Sequence, residues 1–545
     1  MFSVTRSQMR THLAALVAIL LIAMPAALHA EVDVVELTVQ DIQAGYSAGD
    51  FTAVELVESY LDRIAEYEST YNAFISMNPD ALSIAAEVDA ALASGGGMGP
   101  LFGVPVVIKD NIDYGGLVTT AGFAGFSSAT GGVDMIPDDD AAVVTRLRDA
   151  GAIILGKTNL PDFAFSGTRT YSSVAGTTFN PYNLDKAPGG SSGGTATAVN
   201  ASFATLGFGT ETGGSIENPS SAQALVGVKP TFGLVPLEGV VPIDATYRDV
   251  VGPLARSVYD AAAALDVISG PTPEDYNTYA SAGHIPAGGY TAGLTDTALE
   301  GKRFGLVGLG WRRSFLPLAP ETEAFYQQAI ADLEAQGATV VADPFAGSAF
   351  VDKYSERSGV PGLIANGIEK YLDGLGEGAA FNSREEWEAI TGDTFPIGGD
   401  PLEPTAIPEG DAYQAWRAEL REIFSEVLEA FDLDGLFFPQ AGEPIPDQVV
   451  GSNGPNDFAE LPSNIINDLG VPVVTLPYAY YDDNTPFTLA FIGDLWSDAD
   501  LLSYAFDLEQ ATQARVAPSL VPEPRLIMVG LGLFLILRRR RSTAA

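Results

Sequence analysis

From Val32 to about residue 513 the chain never settles into a single periodicity, and this limits its fold more than any other feature. Short apolar runs of strand character at Val104–Ile108, Ala152–Leu155, Gly435–Phe438 and Val471–Leu476 alternate with other patterns. The intervening stretches carry helical spacing, as at Ala141–Ala150, Glu321–Gln336 and Ala412–Phe431. Thr52-x-x-Glu55 reads as a capping box, with Val54, Leu56, Val57, Tyr60, Leu61 and Ile64 on one apolar face. No internal repeat and no clean linker interrupts the mixture. The pattern predicts one large α/β domain rather than several. With 46% apolar residues in 545, such a domain can fill its core.

The two ends do not belong to that domain. Arg6 and Arg10 precede the apolar run Leu13–Ala23, and Ala27-Leu-His-Ala30 places small residues before a cut at Glu31. Residues 1–30 therefore read as a secretory signal peptide. At the other end, residues 520–545 contain Val521-Pro-Glu-Pro524, the apolar run Leu526–Leu537 and Arg538-Arg-Arg-Arg541. A helix of that run covers roughly 18 Å, short of a hydrocarbon core of roughly 30 Å. The arginines would hold the C-terminus on the cytoplasmic side. The three parts in this order resemble a PEP-CTERM sorting tail. That resemblance implies an exosortase-type processing enzyme as partner, and a periplasmic or cell-surface destination in a Gram-negative bacterium. The body, residues 31–519, is the catalytic candidate.

Composition excludes some classes. The formal net charge is −42, and the two ends carry seven arginines against one glutamate, so the body is more acidic still. Such a surface repels nucleic acid. There is no cysteine, hence no disulfide.

The chemistry concentrates between Ala187 and Val235, where glycine, serine and threonine dominate. Gly209-Thr-Glu-Thr-Gly-Gly-Ser-Ile-Glu-Asn-Pro-Ser220 sets Ser215 among glycines on a tight turn, as a nucleophile would be. Two motifs mislead. Gly151-Ala-Ile-Ile-Leu-Gly-Lys157-Thr158 fits a phosphate-binding loop, but its four variable residues form a strand rather than a loop. Gly189-Gly-Ser-Ser-Gly193 fits the nucleophile elbow, yet no apolar strand precedes it. His12 and His29 leave with the signal peptide, so only His284 could serve a histidine-dependent triad. One histidine without cysteine also makes no zinc site, and no metal or cofactor is expected. Lysine remains, because serine–lysine variants of the triad exist. Lys109 should emerge from the strand Val104–Ile108, where burial without a carboxylate would lower its pKa by up to roughly 3–5 units. On the residues alone, a strand-end lysine that reaches solvent fits as well. Asp110 is its neighbour, but adjacent strand residues face opposite ways.

Pro188-Gly-Gly-Ser-Ser-Gly-Gly194, Gly209-Thr-Glu-Thr-Gly-Gly-Ser-Ile216 and Gly227-Val-Lys-Pro-Thr-Phe-Gly-Leu-Val235 together resemble the amidase signature family. So do Gly103-Val-Pro-Val-Val-Ile-Lys-Asp-Asn111, Leu155-Gly-Lys-Thr-Asn159 and Gly470-Val-Pro-Val-Val-Thr-Leu-Pro477. The resemblance covers about residues 36 to 513. It implies a central mixed β-sheet surrounded by helices, and hydrolysis of a small-molecule or peptide amide. By position it assigns Ser215 as nucleophile, Ser191 as bridging serine and Lys109 as base. Backbone N–H groups of Thr212, Gly213, Gly214 and Ser215 would hold the oxyanion, Ser192 would support, and Gly190–Ser191 would be a cis peptide.

Two positions depart from the family. Glu211 stands where most members have Asp, and Glu217 where most have Arg; Glu217 could select a cationic substrate or simply be solvated. The Gly-Thr-Glu-Thr form is similar to the peptide-amidase branch, which hydrolyses C-terminal amides of peptides. The substrate-binding segment is expected within 270–440. Two other readings stay open: an esterase built on Ser191 and His284, and a non-catalytic surface protein that keeps the scaffold as a binding module. A transamidase component on this fold would need cytoplasmic partners and tRNA, which an export signal opposes.

Overall fold

The computed structural model describes residues 32–96, 99–313, 317–357, 364–399, 408–462 and 464–520. The expected signal peptide (1–30) and all of the expected tail beyond residue 520 lie outside the described residues.

The capping box at Thr52 is present: its hydroxyl accepts from the Glu55 N–H, and the Glu55 side chain returns to the Thr52 N–H. It starts the helix Ala53–Tyr71, whose Leu56, Val57, Tyr60 and Ile64 are buried. Every expected strand and helix named above forms, with ends moved by a few residues. The helix Ala142–Asp149 precedes the second of the parallel strands, and the late helices are Pro320–Ala335 and Pro408–Phe431.

Among the described residues thirteen strands form: β1 (Phe74–Met77), β2 (Pro105–Lys109), β3 (Ile153–Thr158), β4 (Tyr171–Ser172), β5 (Gly176–Thr177), β6 (Leu206–Glu211), β7 (Val226–Lys229), β8 (Val250–Ala255), β9 (Arg303–Leu306), β10 (Thr339–Ala342), β11 (Gly435–Pro439), β12 (Val473–Tyr480) and β13 (Pro486–Ile492). Eleven make one sheet in the order β1-β3-β2-β6-β8-β7-β12-β13-β11-β9-β10; β4 and β5 pair separately. Strands β3, β2 and β6 run parallel, whereas β6–β8, β7–β12 and β12–β13 are antiparallel. The sheet is therefore mixed, and every residue of β2, β3 and β6 is buried. Helices Gly193–Asn200, Val258–Ile268 and Asp498–Thr512 cover it. This is the single large α/β domain expected, a mixed sheet surrounded by helices.

Strand β6, Leu-Gly-Phe-Gly-Thr-Glu, has no strand signature in the sequence. Its glycines serve packing: a Cβ on Gly207 would lie 2.5 Å from the Thr195 methyl, and one on Gly209 would lie 2.6 Å from Ser192 Oγ. The short helix Gly193–Asn200 can thus press its small residues onto the strand, bringing the two serine-bearing loops together.

Beyond the last helix the chain folds back. Arg515 pairs with Glu36 at 2.8 Å and bonds Asn200 Oδ1 at 3.2 Å. The C-terminal end of the described body is thereby tied to its start.

Candidate active site

Two neighbouring parallel strands deliver the site. β2 ends on Lys109, β6 ends on Thr210 and Glu211, and the segment after β6 carries Ser215. Lys109 is wholly buried. Its Nζ lies 2.7 Å from Ser191 Oγ, 2.8 Å from Thr210 Oγ1 and 3.2 Å from the Thr210 carbonyl. Asn111 Nδ2 donates to the same Thr210 hydroxyl at 3.0 Å. Among the described residues no carboxylate pairs with Lys109. Burial pushes the amine down to about 7, against a weaker opposing pull from Glu211 and Asp249. A solvent-reaching lysine is thus excluded.

The Gly190–Ser191 peptide is cis, and Ser191 is fully buried. Ser191 and Ser215 line the same narrow cavity together with Thr210 and Asp249. The Ser192 N–H donates to the Ser215 carbonyl at 3.3 Å, which ties the two serine loops. The Ser192 hydroxyl accepts from the Thr210 N–H at 3.3 Å and donates to the Thr210 carbonyl at 3.2 Å. Ser192 therefore braces β6 through its hydroxyl and reaches the Ser215 loop only through its backbone.

None of the described hydrogen bonds takes the N–H of Thr212, Gly213, Gly214 or Ser215. Gly214 has φ +83°, a conformation that favours glycine. A Cβ on Gly213 would sit 2.0 Å from Asn464 Oδ1, and one on Gly214 2.6 Å from Glu460 Oε2. The glycines let these side chains pack on the loop from one side and leave its N–H groups free for an oxyanion. Thr212 Oγ1 donates to Asp249 at 2.5 Å, fixing the first residue of the loop. Burial pushes Asp249 up to about 6.

Ser215 opens onto a cleft of about 580 Å³. Phe165, Arg248, Arg312 and Glu460 line it. Arg248 pairs with Asp244 at 2.9 Å, and Arg312 Nη1 donates to the Glu460 carbonyl at 3.0 Å. Glu460 accepts from Asn218 Nδ2 at 2.7 Å, and burial pushes its carboxyl up to about 7. Arg312, Pro317 and Ile364 come from the expected 270–440 segment, but Gly442–Asn464 lines at least as much of the cleft. Nothing in the sequence marked Glu460, Asn464 or Asn218. Thr210 and Asn111 stood inside motifs already quoted, and only their contacts around Lys109 give them meaning.

Two expectations are corrected. Glu217 is neither solvated nor part of the cleft lining: it is 0% exposed and faces Glu211 in the interior. His284 does not approach Ser191; it stacks on Trp496 at 4.5 Å and is absent from the cleft lining. The histidine-dependent esterase has no geometry to support it. Lys157, of the phosphate-loop look-alike, is a buried strand residue paired with Asp110 at 3.1 Å.

A buried lysine beside a serine, a second serine on a glycine loop and an open cleft form the equipment of a hydrolase that attacks carbonyl carbon. The family model described as Amidase matches residues 55–502. The chain belongs to the amidase signature family and is an amide hydrolase, cleaving C–N bonds. It is 32% identical over 504 residues to a component of the glutamyl-tRNA(Gln) amidotransferase of Alkaliphilus metalliredigens, covering 87% of this chain and 96% of that protein. The crystal structure of native peptide amidase from Stenotrophomonas maltophilia is similar at TM-score 0.75 and 34% identity, over 89% of this chain and 99% of that one. An amidase family protein from Bacillus anthracis matches at TM-score 0.72 and 25% identity, over 90% and 93%.

Proposed function

We propose that the protein is an exported serine amidohydrolase in which Lys109 is the base, Ser191 the proton relay and Ser215 the nucleophile. The carrying observation is the fully buried Lys109 amine, without a carboxylate, 2.7 Å from Ser191 Oγ. A neutral amine has two N–H bonds and one lone pair. The two N–H bonds go to the carbonyl and hydroxyl of Thr210, and the lone pair takes the Ser191 proton. Ser191 then accepts the proton of Ser215, which attacks the amide carbonyl. The N–H groups of residues 212–215 stabilise the oxyanion. The proton returns through Ser191 to the leaving nitrogen, and water clears the acyl-enzyme.

The substrate class to screen first is the C-terminal carboxamide of peptides, on the likeness to peptide amidase. The −42 net charge and the N-terminal export pattern favour a free-standing hydrolase over a tRNA-dependent assembly. Export by a signal peptide of residues 1–30, and sorting by the 520–545 tail through an exosortase-type enzyme, belong to the same proposal. They rest on the basic–apolar–small and Pro-Glu-Pro–apolar–arginine patterns.

Labelling of residues 31–520 with a fluorophosphonate, followed by peptide mass spectrometry, tests the mechanism. Label on Ser215 that disappears in Lys109→Ala supports it. Label on Ser191 that survives that substitution would overturn it. No label on well-folded protein would favour the binding-module reading.

A further inference from the structure

Glu211 and Glu217 bracket the nucleophile loop, one at the end of β6 and one at the start of the helix Glu217–Ala222. Both side chains are buried, and the two carboxyls act on each other in the same interior pocket of the fold. Glu211 is well served with donors. Its Oε2 accepts from the Ile216 N–H at 2.8 Å and the Glu217 N–H at 3.4 Å, and its Oε1 accepts from Asn467 Nδ2 at 2.8 Å. Glu217 is the reverse: among the described residues no donor reaches either of its oxygens. Two carboxylates cannot hydrogen-bond to each other without a proton between them, and an ionised buried group without donors is costly.

The surroundings decide which carboxyl holds that proton. Glu217 faces Glu211, Lys229 and Glu460; Glu211 faces Lys229 and Asn467. Lys229 lies near both, with Asp498 and Arg417 behind it, and its Nζ donates to the Val471 carbonyl at 2.6 Å. One ammonium against two ionised carboxylates would leave a surplus negative charge in a sealed interior. Burial together with the Glu211 charge raises Glu217 well above the usual carboxylate range, while donors hold Glu211 below it.

We propose that Glu217 stays protonated in the working enzyme and donates to Glu211, and that this acid–carboxylate pair is a positioning device that fixes the loop presenting Ser215. The pair grips the loop through the Ile216 and Glu217 N–H groups, directly after the nucleophile. The charge of Glu211 also reaches Lys109, where it opposes the effect of burial. A neutral Glu217 adds nothing to that field; an ionised one would hold Lys109 in its protonated, inactive form to higher pH. The inference rests on the Lys109–Ser191–Ser215 reading for its kinetic consequence, though not for the proton itself.

Two variants, Glu217→Gln and Glu217→Leu, separate the parts. Glutamine keeps a donor and a neutral charge, so kcat/KM should stay within about threefold of the parent, with the acid limb of its pH profile unmoved. Leucine removes the donor, and kcat should fall about 10- to 100-fold with KM little changed. Infrared difference spectra of parent minus Glu217→Gln at neutral pH, recorded without substrate, should contain the carbonyl stretch of a protonated carboxyl. An acid limb displaced to lower pH in Glu217→Gln would mean that a charge was removed, and would overturn the proposal. So would a difference spectrum with only carboxylate bands. Should Lys109→Met keep full activity, the catalytic assignment falls, while the infrared result still judges the proton on Glu217.

Discussion

Lys109 and Lys157 lie on adjacent parallel strands, nearly side by side: Lys109 is registered with Thr158, and Ile108 with Lys157. Both are entirely buried. Lys157 meets the Asp110 carboxylate at 3.1 Å, the Thr119 hydroxyl at 2.6 Å and the Val118 carbonyl at 3.1 Å. Lys109 bonds Ser191 and Thr210, neither of them charged. Asp110 follows Lys109 directly, yet the strand pleat turns its carboxylate toward the other lysine. Burial is the same in both places, so burial does not make a base. What differs is the partner: Asp110 sits against Lys157, whereas Lys109 meets only neutral groups.

The largest contrast comes from replacing each lysine by methionine. Lys109→Met should lower kcat/KM by about 10⁴-fold, on the scale of removing one member of a triad. It should also raise stability, by about 1–3 kcal/mol at neutral pH, because an apolar side chain replaces an amine that is costly to bury. Lys157→Met leaves Asp110 buried and unpaired, and should cost about 3–5 kcal/mol in chemical denaturation with kcat of the folded fraction nearly kept. Equal kinetic losses in the two variants would erase the distinction.

The pH dependence sharpens it. In the proposed mechanism Lys109 works neutral, and burial holds it at about 7, so kcat/KM should fall about tenfold per unit below pH 7 and level off above it. Stability follows the same group. Between about 7 and the ordinary 10.5, the unfolded chain binds a proton at Lys109 that the folded one lacks. The parent's stability therefore gains on Lys109→Met as pH rises through that window. Below about 7 the full penalty remains. Denaturation of both proteins across the window should show their gap closing toward about pH 10.

The smallest effect expected is that of Ser192→Ala. Its hydroxyl braces the Thr210 backbone without reaching the reacting atoms, so the substitution should cost about 1 kcal/mol of stability and less than about tenfold in kcat. A loss as large as that of Ser191→Ala, about 10²–10⁴-fold, would move Ser192 into the proton path.

The clustering of Lys109, Ser191 and Ser215 was legible because the motifs around them are local: a buried apolar run that stops at Lys109, and glycines flanking Ser191 and Ser215. The alternation of strands and helices likewise announced the α/β layer. Strand β6 was not legible, since Gly207 and Gly209 carry no strand propensity and owe their state to the helix packed against them. Glu217 misled for a related reason. A charged residue two positions after a nucleophile reads as solvent-facing, and only its contact with Glu211 reveals a buried acid. Glu460 and Asn464 belong to a segment some 245 residues beyond Ser215, and no pattern in the sequence links them to the loop on which they pack.

The proposed mechanism requires Lys109 to be uncharged in the resting protein. NMR of lysine labelled with ¹³C and ¹⁵N, in Ser215→Ala protein with Lys109→Met for assignment, reads this directly. One lysine that titrates near pH 7 and vanishes in Lys109→Met is the predicted result. A Lys109 signal that stays in the ammonium form up to about pH 10, the ordinary lysine range, would contradict it.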